Sequence, residues 1–246
     1  MPEGDALHRA AARVRVLEGH VVSVEARHPR AAVLRVAERI DGRRLQRVEA
    51  VGKNLLLTFE GGLVLRSHLR MKGRWRVQRA GDRIFGNPWL VVRGGEHEAL
   101  LFHGPVLELT RSGQSPRVRH LGPDVMLDPP DVDAMLARVR ADDPRREIGE
   151  ALLDQRVVGG IGNKWKAEGL FLAGVSPWAH LGDLSDDEIT RALGETSRAM
   201  RDGRPGRLVY RRAGMACRRC GTTIRSAPQG DDARIAYWCT SCQPGP

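Results

Sequence analysis

The apolar positions change rhythm twice along the chain. At the start Leu7, Ala10, Ala11, Val14 and Leu17 recur at helical spacing, while Arg9, Arg13 and Glu18 fall largely off that stripe. The spacing predicts an amphipathic helix over residues 5–18, with Asp5 as its cap and Gly19 as its stop. From about residue 20 to residue 110 the rhythm shortens. VVSVEA, NLLLTFE, GLVLRSHL, GRWRVQ, PWLVVRG and EALLFH are short runs of Val, Leu and aromatics, parted by turns that contain glycine. Runs of this kind read as strands, and their spacing predicts an antiparallel sandwich or barrel.

The stretch 119–130 (RHLGPDVMLDPP) reads as a linker, punctuated by a Gly-Pro pair and two consecutive prolines. Helical spacing returns beyond it. Val132, Met135, Leu136 and Val139 form one stripe, Ile148, Ala151 and Leu152 begin another, and residues 187–200 give a third. Between them lies the turn Gly159-Gly160-Ile161-Gly162. There is no internal repeat and no low-complexity tail. The predicted class is α+β. Residues 1–118 form a β-sandwich with a flanking helix, 119–130 a linker, 131–212 a helical domain and 213–246 a cysteine-bearing module.

Charge narrows the partner. Across 246 residues, 40 Lys and Arg stand against 30 Asp and Glu, a net charge of +10. That excess favours a polyanion such as DNA, RNA or an acidic membrane over a neutral ligand, although a basic surface without a specific partner gives the same count. No uncharged apolar run approaches the ~18 residues of a membrane span. MPEGD lacks the basic and apolar regions of a signal peptide, so a cytoplasmic protein is expected.

All four cysteines fall near the C-terminal end. Cys217 and Cys220 make one C-x2-C pair, Cys239 and Cys242 another, and 18 residues separate the pairs. This is the spacing of a four-cysteine Zn2+ site. Four thiolates leave no open coordination position, so one structural ion is expected and no catalytic one. A disulfide staple fits a cytoplasmic chain less well. The intervening segment carries Ile224, Ile235 and Tyr237 and is long enough for a hairpin. Arg218, Arg219, Arg225 and Arg234 make it basic, which suits either a nucleic-acid groove or a solvated zinc ribbon.

The start Met1-Pro2-Glu3 permits removal of Met1, which would expose a secondary amine. An α-amino group titrates near ~7.7–8.0, so a useful fraction is a free nucleophile at neutral pH, whereas a lysine needs strong perturbation first. Such an amine can attack a sugar C1′ and form an iminium ion, with Glu3 adjacent to move protons. A plain lead-in to the first helix gives the same three letters.

Several motifs in one order carry a resemblance. MPEG at 1–4, GKNLLL from Gly52, SHLRMKG from Ser67, LGPDV from Leu121, LLDQRVVGGIGNKWKAE from Leu152 to Glu168, and VYRRAGMACRRCG followed by YWCTSCQ run the length of the chain. On these the chain resembles the formamidopyrimidine-DNA glycosylase/endonuclease VIII family. The resemblance implies a β-sandwich, a helix-two-turn-helix domain and a zinc-finger hairpin, with DNA, double- or single-stranded, in the cleft between the lobes. It implies a monomeric, nucleoid-associated bacterial enzyme of base excision repair that uses no redox cofactor. It implies Pro2 as Schiff-base nucleophile, Glu3 as acid/base and Lys53 as a catalytic, phosphate-binding lysine. It also implies DNA contacts from Asn163, Glu168 and Arg234.

Within that resemblance, Arg70, Met71 and Lys72 match a loop that fills the gap left by an extruded base. Each assignment has a plainer counterpart: a hairpin-tip Lys53, a Met71 buried at a sheet edge, a turn-forming Asn163, a solvated Glu168. Asp5-Ala6 stands where many relatives have Pro-Glu, and the stretch from Asn163 to Tyr210 is short for a lesion-capping loop of the 8-oxoguanine type. Both departures point to the endonuclease VIII branch and to oxidised pyrimidines. The alternatives are a purine-directed formamidopyrimidine/8-oxoguanine enzyme, a non-catalytic damaged-DNA binder, and an N-terminal-proline isomerase. The basic motifs and zinc hairpin argue against the isomerase, which needs neither.

Overall fold

The computed structural model describes residues 2–33, 35–111, 116–203 and 207–245. They fall into two compact units, divided after Arg119.

The first unit opens with helix α1 (Gly4–Val14) and a 3-10 turn (Arg15–Leu17). The apolar stripe is buried as its spacing requires: Leu7, Ala10, Ala11, Val14 and Leu17 all lie in the core. The cap differs from expectation. Glu3 is the N-cap residue, in extended conformation, and its carbonyl accepts from the amides of Ala6 (2.9 Å) and Leu7 (3.3 Å). Asp5 therefore lies inside the first turn, where it pairs with Arg9 one turn on, at 2.8 Å. Gly19 does end the segment, at φ 82.

Eight strands follow: β1 (Ser23–Ala26), β2 (Leu45–Val51), β3 (Asn54–Phe59), β4 (Leu63–His68), β5 (Arg74–Arg79), β6 (Leu90–Gly94), β7 (His97–Phe102) and β8 (Val106–Arg111). They form two antiparallel four-stranded sheets, ordered β1-β6-β7-β5 and β2-β3-β4-β8. Alternation sends Leu55, Leu57 and Leu65 of one sheet and Trp75, Leu90 and Leu101 of the other into a single core that also takes the α1 stripe. Two short helices, α2 (Pro29–Val33) and α3 (Val36–Ile40), interrupt the region read as strands. Ala31, Val36 and Ile40 on them are fully buried, so core packing decides their conformation.

The short α4 (Pro116–Arg119) closes the first unit, and the second contains α5 (Val132–Arg140), α6 (Ile148–Ala151), α7 (Asn163–Ala173) and α8 (Asp186–Asp202). A Ser185/Glu188 capping box starts α8. Much of 120–130 is integral to this unit rather than a free connector, since Val125 is fully buried in its core and Asp124 bridges Gly159. Helix α7 packs so closely on α8 that a Cβ at Gly169 would sit 1.8 Å from Thr196 Oγ1. A two-stranded hairpin, β9 (Arg225–Gln229) and β10 (Arg234–Trp238), lies between the two cysteine pairs.

Candidate functional site

At the N-terminus, Pro2 is half-buried and Glu3 retains only 4% of its accessible surface. Chain ends usually fray. Here the first helix turn hydrogen-bonds to the Glu3 carbonyl and holds residue 3 at the positive end of the helix dipole, a favourable place for a carboxylate. Met1 lies outside the described residues, and with it the question of its removal.

A cationic corner forms where β2, β3 and β4 end. Gly52, at φ 57, makes the two-residue turn that presents Lys53. Asn54 spans that turn, donating from Nδ2 to the Val51 carbonyl at 3.2 Å. Its Oδ1 accepts from Nη1 of the buried Arg66 at 2.7 Å, and Arg66 Nε donates to Glu108 at 2.7 Å. A buried guanidinium needs such partners, because an unpaired charge out of water costs several kcal/mol. The chain Glu108–Arg66–Asn54 thus fixes the turn carrying Lys53.

His68 stands at the end of β4 in the same corner. Burial, reinforced by the charges of Arg70, Arg66 and Lys53, pushes its pKa from 6.5 to about 4. It is neutral at physiological pH, and its Nδ1 accepts the backbone N–H of Arg70 at 3.1 Å. Arg70 adopts φ 50, a left-handed conformation costing a non-glycine residue about 1–2 kcal/mol. The loop closes at Gly73, whose N–H donates to Leu69 at 2.9 Å; a Cβ there would lie 2.5 Å from that same oxygen. Arg70, Met71 and Lys72 are all exposed at the tip, Met71 to 64%. Met71 is therefore not buried at a sheet edge.

In the second unit, Gly159–Gly162 leads into α7. Gln155 braces this turn, accepting from Gly160 N at 3.1 Å and donating to Ile161 O at 3.0 Å. Gly162 is the N-cap of α7 and supplies no side-chain cap, so the helix start suits an anion. Asn163 follows. Its Nδ2 donates one N–H to the Ile235 carbonyl on β10 at 2.9 Å, and the Nδ2 group carries a second N–H. Its Oδ1 is buried without a hydrogen-bond partner. Arg234, next to Ile235, is exposed.

Glu168 behaves differently from a solvated helix residue. It is buried, and its carboxylate accepts from the backbone N–H groups of Leu208 (2.8 Å), Val209 (3.1 Å) and Tyr210 (2.8 Å). These bonds fix the backbone of 208–210 against α7.

Cys217, Cys220, Cys239 and Cys242 are free thiols whose Sγ atoms all lie within 4.8 Å of one another. The Cys217–Cys242 and Cys220–Cys239 Sγ separations are 3.9 and 3.5 Å. A tetrahedral ion with ligands at about 2.3 Å has edges of about 3.8 Å, so the four sulfurs are placed to bind a metal ion.

Asn54, Arg66, Glu108 and Gln155 did not emerge from sequence reading. The available signal was an arginine inside the apolar run LVLRSHL, a position that demands a buried partner. That partner stands 42 residues away.

Residues 1–123 match the formamidopyrimidine-DNA glycosylase N-terminal domain, and residues 121–204 match the formamidopyrimidine-DNA glycosylase H2TH domain. The chain is 40% identical to the probable endonuclease 8 2 of Streptomyces coelicolor, covering 100% of this chain and 95% of that one. It is 37% identical to the DNA-(apurinic or apyrimidinic site) lyase Nei2 of Mycolicibacterium smegmatis, covering 99% of each. Among solved structures, Lactococcus lactis Fpg (MutM) in complex with DNA containing N7-benzyl-Fapy-dG superposes with a TM-score of 0.81 at 21% identity, over 99% of this chain and 100% of that one.

Proposed function

The chain belongs to the formamidopyrimidine-DNA glycosylase family, and from that premise we propose that it is a DNA glycosylase with AP lyase activity in base excision repair, of the endonuclease VIII type, acting on oxidised pyrimidines. The observation that carries the mechanism is the ordered N-terminus: Pro2 is held half-buried beside a buried Glu3 at the head of α1. Once Met1 is removed, the Pro2 nitrogen attacks C1′ of the damaged nucleotide. The base leaves, protonated as it departs, and the opened sugar is left as an iminium ion on the proline nitrogen. Glu3 shuttles protons during ring opening and elimination. The iminium acidifies C2′–H, β-elimination expels the 3′ phosphate, and δ-elimination expels the 5′ phosphate.

The other residues bind and position. Lys53 neutralises a phosphate near the reacting sugar, and its turn is preset by Asn54 and Arg66. Arg70, Met71 and Lys72 enter the duplex where the base has left; an exposed, flexible Met71 suits that space. Asn163, Arg234 and the start of α7 grip backbone phosphates, and Glu168 serves indirectly by holding 208–210. The four cysteines hold Zn2+, which stabilises the module carrying β9 and β10 and takes no part in the chemistry. No helix among the described residues is long and apolar enough to cross a membrane; we place the enzyme, as a monomer, in the cytoplasm with DNA.

The test is borohydride trapping on a duplex with one abasic site. A covalent protein–DNA adduct, lost in Pro2→Gly, supports the reading; no adduct and no strand cleavage by protein with Met1 removed and zinc bound ends it. Cleavage of thymine glycol and dihydrouracil above 8-oxoguanine opposite cytosine supports the pyrimidine preference, and the reverse order replaces it with the purine reading.

A further inference from the structure

The outer face of the β1-β6-β7-β5 sheet is electrostatically divided. At one end Glu25, Arg27, Arg93 and Glu98 neutralise each other, through Arg27–Glu25 at 2.8 Å, Arg93–Glu98 at 2.9 Å and Arg93–Glu25 at 3.2 Å. At the other end, on edge strand β5, Arg74 and Arg76 point outward opposite Phe102 and Leu100. Arg83 joins them from the loop before β6. None of these three arginines forms an ion pair among the described residues, and Asp82, beside Arg83 in sequence, forms none with it.

Aromatic groups interleave with these cations. The Arg74 guanidinium lies 4.7 Å from the Phe102 ring centroid, and that of Arg83 lies 5.2 Å from Phe85. Gly86, at φ 85, approaches the Phe102 ring, while Ile84 packs onto the apolar patch of Val91, Leu100 and Phe102. The loop is thus anchored on the sheet, yet Phe85 remains 60% exposed. An anchored loop presenting a phenylalanine to water beside unpaired arginines has the composition of a stacking platform. It adjoins the Arg70-Met71-Lys72 loop, since only Gly73 separates Lys72 from Arg74.

We propose that Arg74, Arg76, Arg83 and Phe85 form a binding strip for a single DNA strand, distinct from the contacts that engage the lesion. The arginines take phosphates and Phe85 stacks on an unpaired base. A base within a duplex is already stacked and cannot use Phe85 without unpairing. The strip rests on the DNA-binding reading above for the identity of its polyanion.

The test uses the full-length, zinc-loaded protein, an undamaged oligothymidylate of about 20 residues and a blunt undamaged duplex, with binding followed by anisotropy across a salt series. Phe85→Ala is expected to weaken oligothymidylate binding roughly 5- to 100-fold and duplex binding less than about twofold. Arg76→Ala combined with Arg83→Ala is expected to lower the log–log salt slope on the oligothymidylate by about 1.4, at ~0.7 per phosphate. Arg27→Ala, at the neutralised end, should change neither. The proposal is overturned if wild type does not bind the oligothymidylate, if Phe85→Ala leaves its affinity unchanged or lowers both affinities equally, or if Arg27→Ala reproduces the loss. Cleavage of an abasic duplex, assayed in parallel, reports separately on the enzymatic reading.

Discussion

The Asn163 side chain donates to the Ile235 carbonyl at 2.9 Å, joining the first residue of α7 to the strand that bears Arg234. The two proposed phosphate-gripping residues are therefore mechanically connected through one hydrogen bond and one peptide. Asn163→Ala should both remove a phosphate contact and loosen Arg234. On a duplex with an abasic-site analogue, Arg234→Ala should reduce the salt slope by about 0.9, whereas Asn163→Ala, which removes an uncharged donor, should weaken binding with a smaller change of slope. Their combined loss of affinity should be smaller than the sum of the single losses. Strict additivity would show that the bond transmits nothing.

The chemistry should depend on the two residues after Met1. Pro2→Gly should abolish the borohydride adduct while leaving zinc content and the thermal midpoint unchanged. Glu3→Gln should slow strand cleavage by about 10²–10⁴-fold, the usual range for an acid/base, with binding of an uncleavable abasic analogue retained. Full cleavage by Glu3→Gln would assign the proton transfers elsewhere.

Asn54 offers a test of preorganisation, since it clamps the turn rather than bearing charge. Asn54→Ala should lower the rate of abasic-site cleavage in the same direction as Lys53→Ala, and the double variant should be no slower than Lys53→Ala. A further loss in the double variant would show that Asn54 acts independently of Lys53.

His68 sets a pH dependence of stability. Its folded pKa of about 4 lies below its ordinary value of 6.5, so between these values the unfolded chain binds more protons than the folded one. The stability contributed by neutral His68 is complete above pH ~6.5, declines as pH falls towards 4 and is flat below it. Denaturant midpoints measured from pH 7 to 4 should show this decline, and His68→Gln should remove part of it. An identical decline in the variant would place the titrating group elsewhere.

Stripping the metal should act on binding before chemistry. Thiolate coordination contributes directly to the folding of small cysteine modules. A chelator, or Cys239→Ser, should release about one zinc per chain, lower the thermal midpoint and weaken duplex binding. Unchanged binding after complete loss of zinc would separate the hairpin from the DNA interface.

What could be read from the chain follows from the range of each interaction. The α1 stripe, six of the strands and the paired cysteines are local patterns, and the structure reproduces them. Helix α7 is buried nearly all round, from Trp165 to Phe171, so it shows no amphipathic stripe to count. Helices α2 and α3 are too short to carry a periodic signal. The Arg66–Glu108 pair and the Glu168 bonds to 208–210 join residues about 40 positions apart, and no window along the sequence contains both partners. Family motifs indicated Lys53 and Asn163, but the groups that hold them in place are visible only in three dimensions.

Among the tethers that join helix α7 to later parts of the chain are two at its start and its middle, Asn163 to Ile235 and Glu168 to the 208–210 backbone. The five-residue interval between those tethers is consequently a length standard. One residue inserted between Asn163 and Glu168 would turn the second tether by about 100° and advance it by about 1.5 Å relative to the first, so both could not engage together. An insertion or deletion here would therefore be felt at both ends of the interval, in the strand that bears Arg234 and in the 208–210 backbone.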